Sequence, residues 1–418
     1  MILTKQEELM AGGKFGPGIE KCMDILIKMG QIFGAKKMIP VTSAHTMPKE
    51  PPELLKSMTK GVKQTAVFTT LHPIMSAFDP KVWQKMGISK QFAARELAMH
   101  QQRTEVHKRL GFCQTYTCLP MFAGNLPRKD DCISWIGSGA QLLANSVIGA
   151  RTNRDGTLVN LAIAITGRAP YTGLYLDENR YADVLVVLDG LNPHDLSDVD
   201  FGAIGYYVGG IAQNRSIVID NLPRELSWDQ LKYLMAPLST SGSVSICHIV
   251  GLTPEAPTRE QALGYKKPSE IISVGAKQIA QTKALYAIGG QEKIDMVILG
   301  CPHCLIPEIK HIASLLEGKK IGNNQKFWIG MPHQIYHLAQ IMGYTKIIEG
   351  AGGVITRSCM AAIPDFPIPE GVQTIATNSF KAAHYISRLA KEQVHLVIGT
   401  IDKCVEAAIT GKWNVDVG

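Results

Sequence analysis

The run IDMVILG at 294–300 is followed by IPEIKHIASLLEG at 306–318, KFWIG at 326–330 and PHQIYHLAQIMG at 332–343. Short apolar runs without polar alternation read as strands buried on both faces, and the longer segments repeat apolar residues at helical spacing. The alternation goes on with KIIEG (346–350), GGVITR (352–357) and GVQTIATN (371–378) as strands. SFKAAHYISRLAK (379–391) follows as a helix, VHLVIG (394–399) as a strand and IDKCVEAAITG (401–411) as a helix. Strands and helices in turn predict an α/β fold with mainly parallel sheets flanked by helices, and a doubly wound unit at the C-terminal end.

Upstream the pattern is less regular. EKCMDILIKMGQIF (20–33) reads as a helix, KMIPVTSAH (37–45) and TAVFTTLHP (65–73) as strands, and KQFAARELAMHQQRTEVHKRLG (90–111) as a long helix capped at Gly111. GFCQTYT (111–117) reads as a strand and AQLLANSVIG (140–149) as a helix. ADVLVVLDG (182–190), RSIVIDNLP (215–223) and VSICHIVG (244–251) are strand-like, and FGAIGYYVGGIAQN (201–214) is Gly-rich and helical. PSEIISVGAKQIAQTKALYAIGG (268–290) reads as a helical passage into the last unit. The chain divides into an N-terminal α/β region, 1–285, and a C-terminal α/β domain, 286–418.

Composition narrows the class. The chain has 418 residues, 45% of them hydrophobic, enough for two or three domains around a large core. Its net charge of +7 is spread without a dense basic run, which argues against nucleic acid and leaves an anionic small molecule as a fitting partner. No 18-residue apolar run exists to span a membrane, and MILTKQEELMAGGK is too polar for a signal peptide. Nine cysteines at irregular spacing argue against a disulfide framework and for a cytoplasmic setting.

Three of those cysteines stand out. Cys118, Cys301 and Cys359 each follow a predicted strand, where α/β folds build their sites. Three thiolates can hold an iron–sulfur cluster, most simply [4Fe-4S] with one open iron; [2Fe-2S] or mononuclear iron on the same thiolates remain alternatives. Cys301 and Cys304 form a CxxC, but no second CxxC completes a zinc site. Cys22, Cys132, Cys247 and Cys404 read as packing thiols, and Cys113 lies on the opposite strand face from Cys118.

NSVIGARTNRDG (145–156) gathers Asn145, Ser146, Arg151, Asn153 and Arg154, and two arginines suit a carboxylate or phosphate. SAHT places Ser43 and His45, and TTLHP places Thr69, Thr70 and His72, at strand exits. His303, next to Cys301, is a candidate for proton transfer, as is His45.

Taken together, LTKQEE, SAH, TTLHP, TYTCLP, ANSVIGARTNRDG, AITGRAPYTGLYLDENR, GYYVGG, CHIVGLTPEAPT, LGCPH and TRSCM resemble the aconitase X family, in particular the large subunit of its two-subunit type. The resemblance spans nearly the whole chain. It implies an aconitase-like multi-domain core and a hydro-lyase that removes water from a small anionic hydroxy acid at an iron–sulfur cluster. It places Cys118, Cys301 and Cys359 on the family's cluster cysteines. It also implies a small swivelling-domain partner subunit that supplies a catalytic serine, since no GGKGSS-like run is present here. Substrates known in the family are (R)-5-phosphomevalonate and cis-3-hydroxy-L-proline. TNRDG and GNLPR look more like the phosphomevalonate branch, while TTLHP in place of TTLNP, and LPMF in place of TPY after Cys118, depart from it.

Overall fold

A computed structural model describes residues 1–76, 78–287, 292–364, 366–390 and 393–414. The first sheet takes the strands β1 (Ser43–Thr46), β2 (Phe68–Leu71) and β3 (Ser134–Trp135) in the order β2-β1-β3, with His45 opposite Thr70 in parallel register. The second takes β4 (Val184–Leu188), β5 (Ile217–Asp220), β6 (Cys247–Ile249) and β7 (Glu270–Val274) in the order β6-β5-β4-β7. The third takes β8 (Met296–Leu299), β9 (Lys326–Gly330), β10 (Val354–Thr356), β11 (Thr374–Thr377) and β12 (His395–Ile398) in the order β10-β9-β8-β11-β12. Every pairing within these three sheets is parallel. Met38–Pro40 with Arg168–Pro170, and Glu292–Lys293 with Lys412–Trp413, form two short antiparallel pairs. The α/β class and the doubly wound C-terminal unit are as the sequence reads. In the third sheet the strand order reverses between β8 and β11, and a crevice opens at the carboxyl ends of strands at such a reversal.

Burial follows the pattern of the runs. MVIL of β8 is wholly buried, as expected of a parallel strand covered on both faces. One continuous core joins the second and third sheets through Val186, Phe201, Leu234, Val297, Leu299 and Ile309; a separate core under the first sheet gathers Met23, Leu26, Leu71 and Leu161. Between the second and third sheets lie the helices Asp198–Ala212 and Trp228–Gly242, whose backbones touch. A Cβ at Gly205 would stand 2.1 Å from the Leu234 carbonyl oxygen, and one at Gly209 would stand 2.5 Å from that of Leu238. Gly205 and Gly209 of GYYVGG are therefore a packing device, while Gly210 faces open space.

Several elements differ from the sequence reading. GFCQTYT is not a strand: only Cys113 bridges to Thr70, and Tyr116 at φ 46° turns the chain out of extended geometry. KIIEG belongs to a helix, Tyr344–Ala351, set between Gly343 and Gly352, both left-handed; so short an apolar run fits either period. PSEIISV opens with β7, because Ile271, Ile272 and Val274 favour a strand at the sheet edge, and helix begins only at Ala276–Ala284. AQLLANSVIG is a helix, Ser138–Leu143, that relaxes into a π turn, Ala144–Ile148, and stops at Gly149. Positions 288–290 of the predicted passage helix, and Lys391, lie outside the described residues. No helix among those described is long and apolar enough to cross a membrane.

Two buried ion contacts tie the units together. Arg357, just after β10, donates from Nε and from its backbone N–H to Asp79 Oδ2, both at 3.0 Å, and from NH2 to Asp79 Oδ1 at 2.6 Å. Lys232 and the Tyr233 hydroxyl, on helix Trp228–Gly242, both donate to Glu308, which also accepts the Leu305 N–H at 2.8 Å. Glu308 thereby holds the loop that follows Cys301.

Gly205→Ala should lower stability by about 3 kcal/mol through overpacking of the two helices, read as a drop in the urea unfolding midpoint. Burial pushes the Asp79 carboxyl up, but the Arg357 fork and neighbouring amides outweigh it and hold the group below its ordinary value. Its contribution is therefore complete above the unfolded value of about 3.9 and is lost as pH falls through the lower folded one. Asp79→Asn should cost about 3 kcal/mol at pH 7, and the gap to wild type in urea midpoints should close under strongly acid conditions.

Candidate active site

Cys118, Cys301 and Cys359 come from three separate stretches and line one cavity of about 280 Å³. Cys301 leaves the end of β8 and Cys359 lies just past β10, both at the carboxyl edge of the third sheet. Cys118 arrives from the first unit, and the His303 backbone N–H donates to its Sγ at 3.1 Å. The turn after β2 stitches the other side, since the Cys359 N–H donates to the Ile74 carbonyl at 2.9 Å. Ser379, at the head of the helix after β11, donates its hydroxyl to the Cys301 carbonyl. The cavity thus sits at the reversal point of the sheet, roofed by the first unit.

The thiols sit in an unusual field. Burial pushes Cys301 up to about 12 and raises Cys118; Cys359 adds to the rise at both, and Cys118 adds to it at Cys301. The group opposing this at both is Lys381, the second residue of helix Phe380–Leu389, buried with its ammonium toward the sulfurs. Burial works against the Lys381 charge, yet Cys301, Tyr385, Cys118 and Cys359 raise its affinity for a proton. Among the described residues no three His, Cys, Asp or Glu groups converge as a ligand set for one ion. The three cysteines line the cavity, and they are all soft sulfur donors.

Histidines border the same space. His303 donates from Nε2 to the Ser358 carbonyl at 3.0 Å, which leaves Nδ1 as a bare acceptor; that atom is buried without a partner. Burial lowers His303 to about 4. His72 lines the cavity, with His45 behind it: His45 Nε2 is 3.1 Å from His72 Nδ1, and His45 Nδ1 is 2.8 Å from Thr70 Oγ1. His45 is wholly buried and reaches the cavity only through His72.

The polar set divides. Arg154 faces the cavity with a single long contact, 3.5 Å, to the Ser239 carbonyl. Arg151 does not: Asp130 Oδ1 at 3.0 Å and Asp177 Oδ1 at 2.5 Å hold it in a different cavity beside Arg180 and Glu255. Asn145 is consumed by Thr152 and Ser245, Ser146 accepts the Cys247 N–H, and Asn153 spans Thr172 and Leu174. Ser43 meets the Trp135 indole and Thr69 the Val67 carbonyl. These five side chains shape the loops around the cavity, and their turn-forming chemistry explains the spacing that drew attention to them.

Lys381, Lys49, Gln141 and Asp155 line the cavity without having been singled out. For Lys381 a signal existed: a lysine in the first turn of a helix opposes the helix dipole and needs a negative partner. Asp155, pushed up to about 6 by burial, had no distinguishing mark in the sequence.

Comparison with known proteins divides the chain into three segments. Models of the first, second and third domains of aconitase X match residues 1–178, 182–284 and 294–410. The chain is 36% identical to the phosphomevalonate dehydratase large subunit of Methanocaldococcus jannaschii, over 97% of this chain and 100% of that one. It is 31% identical to the cis-3-hydroxy-L-proline dehydratase of Hypocrea jecorina, over 99% of this chain and 69% of that one. The crystal structure of Thermococcus kodakaraensis aconitase X (holo-form) superposes with a TM-score of 0.84 at 32% identity, covering 98% of this chain and 100% of that chain.

Proposed function

The chain belongs to the aconitase X family, and on that premise we propose that it is the large subunit of an iron–sulfur dehydratase acting on a small anionic hydroxy acid. The observation that supports this reading is the meeting of three soft thiols with Lys381, Lys49 and Arg154 in one cavity. Burial and Cys359 raise both Cys301 and Cys118, so a cationic group such as Lys381 favours their ionisation, and three sulfurs from separate stretches suit an iron–sulfur cluster. Cys118, Cys301 and Cys359 would hold it. When bound, a cluster with an open iron supplies Lewis acidity toward the oxygen that departs.

The remaining roles fall to side chains. Arg154 and Lys49, exposed on the cavity rim, bind the anionic end of the substrate and set its register. His303 Nδ1 accepts a hydrogen bond from the substrate hydroxyl and orients it, the proton staying on the departing oxygen; its fixed bond to Ser358 keeps that nitrogen a bare acceptor. A small partner subunit completes the site and supplies a serine as base; the name "large subunit" among the relatives supports the division of labour. (R)-5-Phosphomevalonate is the proposed substrate, because a phosphate suits the rim cations and because several relatives carry that name.

Anaerobic mixing of this chain with its small partner should dehydrate (R)-5-phosphomevalonate, while either chain alone stays inactive and cis-3-hydroxy-L-proline is turned over poorly. The reverse preference would reassign the substrate. Cys301→Ser should strip bound iron and its visible absorbance; full iron content in that variant would dismiss the ligand set. Arg154→Ala should raise KM at least tenfold, about 1.4 kcal/mol, whereas Arg151→Ala should lower the melting temperature and leave KM near wild type.

A further inference from the structure

One ring on the cavity wall has its polarity set from behind. Asn125 is buried, and its amide orientation is fixed, because Nδ2 donates at 3.0 Å to the Ala44 carbonyl, which can only accept. The second Nδ2 hydrogen goes to Thr70 Oγ1 at 2.9 Å. Thr70 has one hydrogen to give, and His45 Nδ1 at 2.8 Å receives it in preference to the Ala44 carbonyl at 3.5 Å. His45 then carries its proton on Nε2, 3.1 Å from His72 Nδ1. A neutral ring has one N–H, so His72 keeps its own on Nε2. Among the described residues that nitrogen has no protein partner.

Two further observations bear on the ring. Burial lowers His45 to about 3 and His72 well below the ordinary histidine value, so neither is a cation at neutral pH. Gly137 fixes where the ring lies: a Cβ there, at φ 94°, would stand 2.4 Å from His72 Cε1. Only a glycine at 137 leaves room for the imidazole to lie there.

We propose that the His72 Nε2–H is a fixed, uncharged donor that recognises an acceptor oxygen of the acid substrate, with Asn125, Thr70 and His45 as positioning residues that keep its proton on the cavity side. The proposal rests on the dehydratase reading for the identity of the substrate, and on hydrogen-bond geometry alone for the direction of the donor. It assigns His72 a part in specificity: an oxygen acceptor is matched, and an ammonium or a methylene at that point leaves the N–H unpaired.

Nitrogen-15 spectra of the full chain labelled at histidine read the tautomers without turnover. His45 and His72 should both be neutral with the proton on Nε2, and Thr70→Val should release His72 into a mixture of tautomers. A proton on His45 Nδ1 would leave His72 Nε2 bare and overturn the proposal. In the two-subunit enzyme on (R)-5-phosphomevalonate, His72→Phe should lower kcat/KM roughly tenfold or more with iron content unchanged, and His72→Gln, which keeps an N–H, should restore most of the loss. Wild-type kcat/KM in the Phe variant would also overturn it. Absence of turnover in the wild-type pair sinks the functional reading instead, and leaves the tautomer spectra to decide the donor.

Discussion

The site depends on the first unit being held against the edge of the third sheet, where apolar packing of Phe78, Met86 and Ile88 on Ile298 and Trp328 surrounds the fork between Asp79 and Arg357. Both side chains are buried or nearly so, and Arg357 engages the carboxylate through two side-chain nitrogens and its own backbone N–H. Such a pair is costly to desolvate and costlier still to break, because removing one partner strands the other. Its position matters as much as its strength. Arg357 lies two residues before Cys359, so the geometry of one thiol is set by a carboxylate from a distant part of the chain.

From that seam the electrostatics of the cavity follow. Sulfur donors lie on both sides of it, and a buried ammonium at Lys381 faces them from the head of a helix. The helix dipole disfavours a cation there, so the thiols and the ammonium stabilise each other's ionised forms against burial. Glu308, fixed by Lys232 and Tyr233 beneath the loop, anchors the backbone that carries Cys301 and His303. Charged groups thus surround the cavity in layers, each compensated by the next.

Much of this was legible in the residues. Parallel strands such as MVIL and VLVVL announce themselves because burial on both faces leaves no polar alternation. Cys301 and Cys359 do follow strands, as the sequence reads, whereas the strand read before Cys118 is absent because Tyr116 at φ 46° turns the chain. What could not be read is partnership: Arg151 and Arg154 are three residues apart and chemically alike, yet Asp130 and Asp177 claim one and leave the other. Asn145, Ser146 and Asn153 carry the residue types of a binding loop and use them to hold their own backbone. The period of a five-residue apolar run is also ambiguous, which is why KIIEG proved helical and EIISV extended.

The seam has a mechanical meaning as well. Cys118 belongs to one body, and Cys301 and Cys359 to another, so whatever engages sulfur from both works as a tie across the joint. A group bound by all three would couple occupation of the cavity to cohesion of the two halves: loosening the joint would weaken its retention, and its loss would loosen the joint.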